Sequence, residues 1–282
     1  MKFLALTLAA VAFLSPAAAN AQTSVREISI PSGSETLSAR VLDGVGDGSR
    51  PVIVLFTGFP AGPNIPRVAN ELQASGYTVV VPQYRGTGSS AGTISVDGSR
   101  ADGAAVVSWL KAGNLANTDP AKIGLLGVSY GGWVALQAAA SDQSVRCVAA
   151  LVPADMGVIA ARWSTDADYR SAWKTDLESF ASDATLARFG PAGVDGFMSS
   201  AASSADSNRL TTRARDLANR PVFIAGGRQD PAAPFQDHYV PIVNALRSAG
   251  VPFAALEFEG GHNPSNAQAA ARSFIERNCF ED

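Results

Sequence analysis

Histidine and cysteine are scarce in this chain, with two of each in 282 residues. His238 and His262 stand apart with no His-x-x-x-His pair, which is a poor ligand set for a catalytic metal. Cys147 and Cys279 could pair in an oxidising compartment or remain separate thiols, one of them in a core strand. Positive charge is not in excess. Lys plus Arg number 22 against 25 acidic residues, a formal net charge of −3, which leaves no basic footprint for nucleic acid. Past the N-terminus no apolar run reaches the roughly 18 residues of a membrane span. Repeats and long linkers are missing too. With 46% hydrophobic and 17% charged residues, the composition is that of one large folded domain.

The first residues read as an export signal. Lys2 gives a short positive start, Phe3 to Leu14 an apolar stretch, and Ala19-Asn20-Ala21 the small-x-small pattern of a cleavage site before Gln22. No cysteine follows that site to carry a lipid. The expectation is a leader over residues 1–21 and an exported, soluble domain over 22–282.

From Arg50 onward, short apolar runs alternate with helical patterns. Candidate strands are Pro51 to Phe56, Tyr77 to Val81, Lys122 to Val128, Val145 to Val152, Pro221 to Ala225 and Pro252 to Phe258. Their apolar runs are continuous, as expected where helices cover both faces of a parallel sheet. Helical patterns fall at Ile65 to Ala74, Ser99 to Lys111, Tyr130 to Ala140, Asp237 to Ala249 and Ser265 to Arg277. Val25 to Ile30 and Leu37 to Val41, around Pro-Ser-Gly-Ser, predict an antiparallel hairpin at the sheet edge. Residues 153–220 contain helical pieces and no strong strand, so they read as a helical cap inserted over one end of the sheet. The expected class is α/β: a mostly parallel sheet, helices on both faces, and a cap.

Between Leu125 and Trp133 the chain reads Leu-Leu-Gly-Val-Ser-Tyr-Gly-Gly-Trp, with Ser129 where a strand becomes a helix. A turn that sharp pushes the serine hydroxyl outward, and side chains at Gly127 and Gly131 would collide with the strand and helix. A serine needs a base. His262, just past the last strand, is placed to serve, whereas His238, at a helix start, reads as a capping or packing residue. Asp230, after the strand ending at Ala225, is the preferred acid, with Asp155 as its competitor. For the oxyanion, the Tyr130 backbone N–H and that of Phe59 are the candidate donors, because Pro60 has none to give.

These residues resemble the α/β-hydrolase superfamily, most closely its prolyl-oligopeptidase-like and dienelactone-hydrolase-like branches. The resemblance rests on Tyr84-Arg85-Gly86-Thr87-Gly88-Ser89-Ser90, on Asp119 to Gly124 leading into Gly127 to Gly132, on Gly226 to Asp230, and on Gly260-Gly261-His262. Thr57 departs from the histidine that many members carry before the oxyanion glycine. The resemblance implies a cofactor-free, metal-free serine hydrolase with Ser129, Asp230 and His262 as its triad. The expected activity is cleavage of a carboxylic ester of a small or medium acyl substrate. A peptidase or amidase comes next, then a serine acyltransferase or perhydrolase; a binding protein with a dead site is the reading from another class. Trp163, Tyr169, Trp173, Phe180, Phe189 and Phe197 are read as the cap's own core rather than as an acyl pocket. Arg162 and Arg170 either meet a carboxylate or are solvated. Nothing in the sequence bears on oligomeric state.

Overall fold

Gly33, at a φ of 62°, closes a two-residue turn between β1 (Val25–Ser32) and β2 (Glu35–Leu42). The strands therefore run further into the expected turn, because Pro31 pairs with Thr36 and only Gly33 and Ser34 form the loop. The computed structural model describes residues 25–61 and 64–280. The leader expected over residues 1–21 lies outside them.

Six further strands follow: β3 (Arg50–Phe56), β4 (Thr78–Pro82), β5 (Thr118–Val128), β6 (Cys147–Leu151), β7 (Val222–Gly227) and β8 (Phe253–Phe258). The eight form one sheet in the order β1-β2-β4-β3-β5-β6-β7-β8. Only β2 opposes its neighbours, pairing antiparallel with β1 and β4, while the remaining pairs are parallel. Alternate residues face opposite sides of a strand, and here both sides are core. Val52, Val54 and Phe56 of β3 point into one cluster and Ile53 and Leu55 into the other. In β7, Val222 and Ile224 part from Phe223 and Ala225 in the same way. This double burial is why the strands read as unbroken apolar runs.

Helices α1 (Arg67–Ala74) and α9 (Ser265–Asn278) cover one face, contributing Val68, Leu72, Phe274 and Ile275. Helices α2 (Val96–Lys111), α3 (Tyr130–Ser141) and α8 (Tyr239–Ser248) cover the other, with Val106, Trp133 and Ile242. On the α9 side, Cys147 of β6 is disulfide-bonded to Cys279, with Cα atoms 5.1 Å apart. That answers the pairing left open by the sequence.

Between β6 and β7 stand α4 (Met156–Thr165), α5 (Ala167–Ala181), α6 (Gly193–Ser203), α7 (Ala205–Asn208) and a 3-10 helix, Leu210–Leu217. The Trp133 indole on α3 donates to the Asn208 carbonyl at 2.7 Å, fastening this insertion to the sheet domain. Helix α5 is held shallowly, because Leu177 is its one buried residue. Among the described residues no helix is long and apolar enough to cross a membrane.

Candidate active site

At the end of β5 the chain reverses into α3 within one residue. Ser129 takes a φ of 56° and ψ of −122°, a region that L-residues rarely enter. The glycines make this possible. A Cβ on Gly127 would lie 2.1 Å from the Gly131 oxygen, and one on Gly131 would lie 2.1 Å from the Phe56 oxygen. The turn is secured on both sides: the Ser129 N–H donates to the Leu151 carbonyl at 2.9 Å, and its own carbonyl accepts from Gly132 and Ala154. The hydroxyl is left outside at the N-terminal end of α3, where the helix carries partial positive charge.

His262 and Asp230 arrive from the neighbouring strand ends. After β7, Asp230 is buried and its Oδ1 accepts from the Ala232 and Ala233 N–H groups, each at 2.9 Å. Past β8, Gly260 at a φ of 137° turns the chain back. The two loops touch through backbone, since a Cβ on Gly227 would stand 2.5 Å from the Gly261 oxygen, and the Gln229 N–H donates to the Gly260 carbonyl. Asp230 Oδ2 lies 2.7 Å from His262 Nδ1, and His262 Nε2 lies 2.7 Å from Ser129 Oγ. With Nδ1 protonated toward the carboxylate, Nε2 is the free acceptor for the serine proton. Such a line can move a proton off Ser129 and return it elsewhere.

Gly58 brings the β3 loop beside the serine, its hypothetical Cβ only 3.5 Å from Ser129 Cβ. Neither the Phe59 nor the Tyr130 N–H has a partner among the described residues. One clamp on this loop was not foreseen from sequence: the buried Tyr84 hydroxyl donates to the Thr57 carbonyl at 2.7 Å. Tyr84 opens the Tyr-Arg-Gly motif, but nothing in that motif names its partner. Burial holds the phenols of both Tyr84 and Tyr130 above their ordinary range. Beneath them, Arg85 is ion-paired to the buried Asp102 at 2.7 Å, and Ser32 donates to the same carboxylate.

Asp155 and His238 are used elsewhere. The Asp155 carboxylate caps α4, accepting from Gly157 and Val158, and reaches the Leu210 N–H at 2.9 Å, so it is not the partner of His262. Burial raises its pKa, against those amide bonds. His238 stands at the N-terminal boundary of α8 without a side-chain capping bond; it is buried, and its Nδ1 accepts the Asp155 N–H at 2.9 Å. Its pKa falls to about 4, chiefly through burial.

A cavity opens beside Ser129, with about 50 Å³ of space open to the centre of a water molecule. Phe59, Tyr130, Met156, Trp173, Leu177 and Phe197 bound it. Trp173 and Phe197 thus border this cavity while also packing with the hydrophobic core, so the reading of the insertion's aromatic residues as its own core is incomplete for these two. Phe180, Phe189 and Phe197 pack on the Phe59 ring at centroid distances of 5.6, 6.3 and 6.0 Å, tying the insertion to the loop after β3. Arg162 pairs with Asp166 and lies over the Tyr169 ring, while Arg170 donates to the Trp163 carbonyl. Among the described residues no group of three His, Cys, Asp or Glu could hold a metal ion.

A sequence profile of the X-Pro dipeptidyl-peptidase (S15) family matches residues 18–220, a span that holds Ser129 and stops before Asp230 and His262. No curated protein matches the chain in sequence. Among solved structures, an acylaminoacyl peptidase of Pyrococcus horikoshii superposes with a TM-score of 0.66 at 15% identity, over 92% of this chain and 42% of its own. A puromycin-hydrolysing peptidase of Mycobacterium tuberculosis gives 0.67 at 19% identity, over 92% of this chain and 40% of its own. For an esterase of Pyrococcus furiosus the values are 0.67 and 19%, over 92% and 94%. The chain thus spans about two fifths of either peptidase and nearly all of the esterase. At these identities the likeness is one of fold, that of the α/β hydrolases. With the profile covering well over half of its length, the chain belongs to the X-Pro dipeptidyl-peptidase (S15) family and is a serine hydrolase of peptidase or esterase type.

Proposed function

We propose that the protein is an exported hydrolase of carboxylic esters that works through an acyl-enzyme on Ser129, with His262 as base, Asp230 as its orienting acid, and the Phe59 and Tyr130 amides as oxyanion donors. The observation that carries this reading is the unbroken line Ser129 Oγ, His262 Nε2 and Nδ1, Asp230 Oδ2, with both links at 2.7 Å. Ser129 Oγ bonds to the ester carbonyl carbon as its proton passes to His262 Nε2. Collapse of the tetrahedral adduct breaks the carbon–oxygen bond, and the leaving alkoxide takes that proton. Water then attacks the acyl-enzyme, gives its proton to His262, and releases the acid as Ser129 recovers its hydrogen.

Apolar walls favour an ester over a peptide. A bound peptide brings amide donors and acceptors that each need a partner once desolvated, and the lining offers few: Phe59, Leu177 and Phe197 none, Met156 a weakly accepting thioether, and the Trp173 indole N–H and Tyr130 hydroxyl as the polar side-chain groups besides Ser129. A peptidase is the second reading, favoured by the family's description; a serine acyltransferase is a third. Residues 153–220 would serve as a cap over the site, and the substrate would be a small acyl compound rather than nucleic acid. Export rests on the leader pattern of residues 1–21 and is supported by the Cys147–Cys279 bond, because such bonds persist in oxidising compartments. Mature protein should begin at Gln22, which N-terminal sequencing reads directly.

Fluorophosphonate labelling tests the enzyme reading. Wild type should be labelled, and should hydrolyse p-nitrophenyl acetate faster than aminoacyl anilides. Ser129→Ala should lose labelling and His262→Ala should lose turnover, by about 10⁶-fold. A folded wild type that takes no label sinks the proposal, and faster turnover of anilides would turn it toward a peptidase.

A further inference from the structure

Resting on the ester-hydrolase reading, we infer that selectivity is set on the acyl side alone: the cavity beside Ser129 takes a small, uncharged, apolar acyl group of roughly two to four carbons, while the leaving group lies outside it and is little restricted. Three directions leave the carbonyl carbon once Ser129 has attacked. The oxyanion points to the Phe59 and Tyr130 amides. The leaving oxygen must face His262 Nε2, which delivers its proton. What remains is the acyl chain, and the cavity occupies that remaining direction, since it is bounded by the oxyanion residues and the insertion but not by His262.

Size follows from volume. A water-sized group needs about 10–15 Å³ measured this way, so about 50 Å³ holds roughly four. Charge is excluded by the lining, because among the described residues no charged side chain borders the cavity, and Arg162 and Arg170 have partners within the insertion. A charged acyl group would lose its hydration there and gain nothing in return. Such a site does not suit an acyl group ending in a free ammonium, as a dipeptidyl unit does. On the opposite side, the His262 side chain is 28% exposed, so a leaving group beside it meets solvent.

Leu177 and Trp173 are the specificity-determining residues. Tyr130 belongs to the serine turn itself, and Ala154 is bonded to it through the Ser129 carbonyl. The wall carried by α5 is separate from that machinery and can be cut back without touching it.

The test is a p-nitrophenyl ester series from acetate to octanoate, an aryl acetate series with leaving groups of matched acidity, and a glycyl-prolyl anilide. Wild type should lose at least about 10-fold in kcat/KM from butanoate to octanoate, and should vary within about 3-fold across the aryl acetates. It should prefer butanoate to the anilide. Leu177→Ala should bring octanoate within about 3-fold of butanoate, and Leu177→Phe should move the optimum to acetate, with each variant still taking the fluorophosphonate label. An octanoate optimum in wild type, a faster anilide, or an unmoved chain-length profile in both Leu177 variants would overturn the inference. With an octanoate optimum or an unmoved profile Ser129 still labels and the ester-hydrolase reading stands, whereas a faster anilide turns that reading toward a peptidase as well. Loss of both labelling and turnover in wild type would instead remove that reading and this inference with it.

Discussion

Acid should destabilise the protein through His238, and replacing that one residue should remove much of the effect. The imidazole is 3% exposed, and its Nδ1 accepts the Asp155 N–H. Burial lowers its pKa from 6.5 to about 4, against the opposing influence of Asp237 and Asp230 and with some help from His262. In the unfolded chain the same ring titrates near 6.5. Between the two values the unfolded state binds a proton that the native state does not, so stability falls as the pH falls. The contribution is fully present above about pH 6.5 and is lost progressively down to about pH 4. At about 1.4 kcal/mol per pH unit, that interval of roughly 2.5 units corresponds to ~3 kcal/mol, a large share of a domain's net stability. Protonation would also abolish the Asp155 bond, because an imidazolium has no acceptor. His238→Asn sets a non-titrating carbonyl oxygen near the position of Nδ1. Urea unfolding of both proteins at pH 7.5, 5.5 and 4 measures the difference. The variant should start less stable through lost ring packing, and wild type should then lose about 3 kcal/mol more than the variant on acidification. Equal losses in the two proteins would refute the reasoning.

Gly131→Ala sets a Cβ 2.1 Å from the Phe56 oxygen and 2.5 Å from that of Thr57, so it should cost about 3 kcal/mol in urea unfolding and abolish fluorophosphonate labelling; normal labelling would mean the turn tolerates a side chain. Breaking Cys147–Cys279, which spans a sequence separation of 132, should lower stability by about 3–5 kcal/mol on the chain-entropy account. The check is a shift in urea midpoint on adding reductant to wild type, absent in the double alanine variant. Tyr84→Phe removes the donor to the Thr57 carbonyl, and with it about 1 kcal/mol of restraint on the oxyanion loop. It should lower kcat about 5-fold with KM nearly unchanged in steady-state ester hydrolysis, and a change in KM alone would argue against a positioning role.

Much of the scaffold was legible because its signals are local. An apolar run such as Pro51 to Phe56 identifies a strand buried on both sides without any knowledge of its partners. Ser129, Asp230 and His262 were legible for a topological reason: each follows a parallel strand directly, and parallel strands deliver such residues to one edge. What stayed hidden depends on contacts between distant segments. Tyr84 meets Thr57 and His238 meets Asp155 through geometry that no spacing announces. Asp155 looked like a possible acid because it too follows a strand, but a carboxylate at Ncap is satisfied by its own helix before it can reach a histidine. The cap aromatics misled for a related reason. In a helix one side chain faces the core and its neighbour a cavity, and composition does not tell Trp163, which is buried, from Trp173, which borders the cavity beside Ser129.

The shallow seating of α5 bears on how such an enzyme diverges. Its surface is mostly open to water, with one buried leucine, so most substitutions along it should change folding free energy by no more than about 0.5 kcal/mol. Trp173 and Leu177 on that same helix border the cavity beside Ser129. A change at the half-buried Trp173 would therefore alter the cavity at little cost to folding, whereas one at Leu177, the buried anchor of the helix, would affect both. New preferences would arise there first, long before anything changed around Ser129.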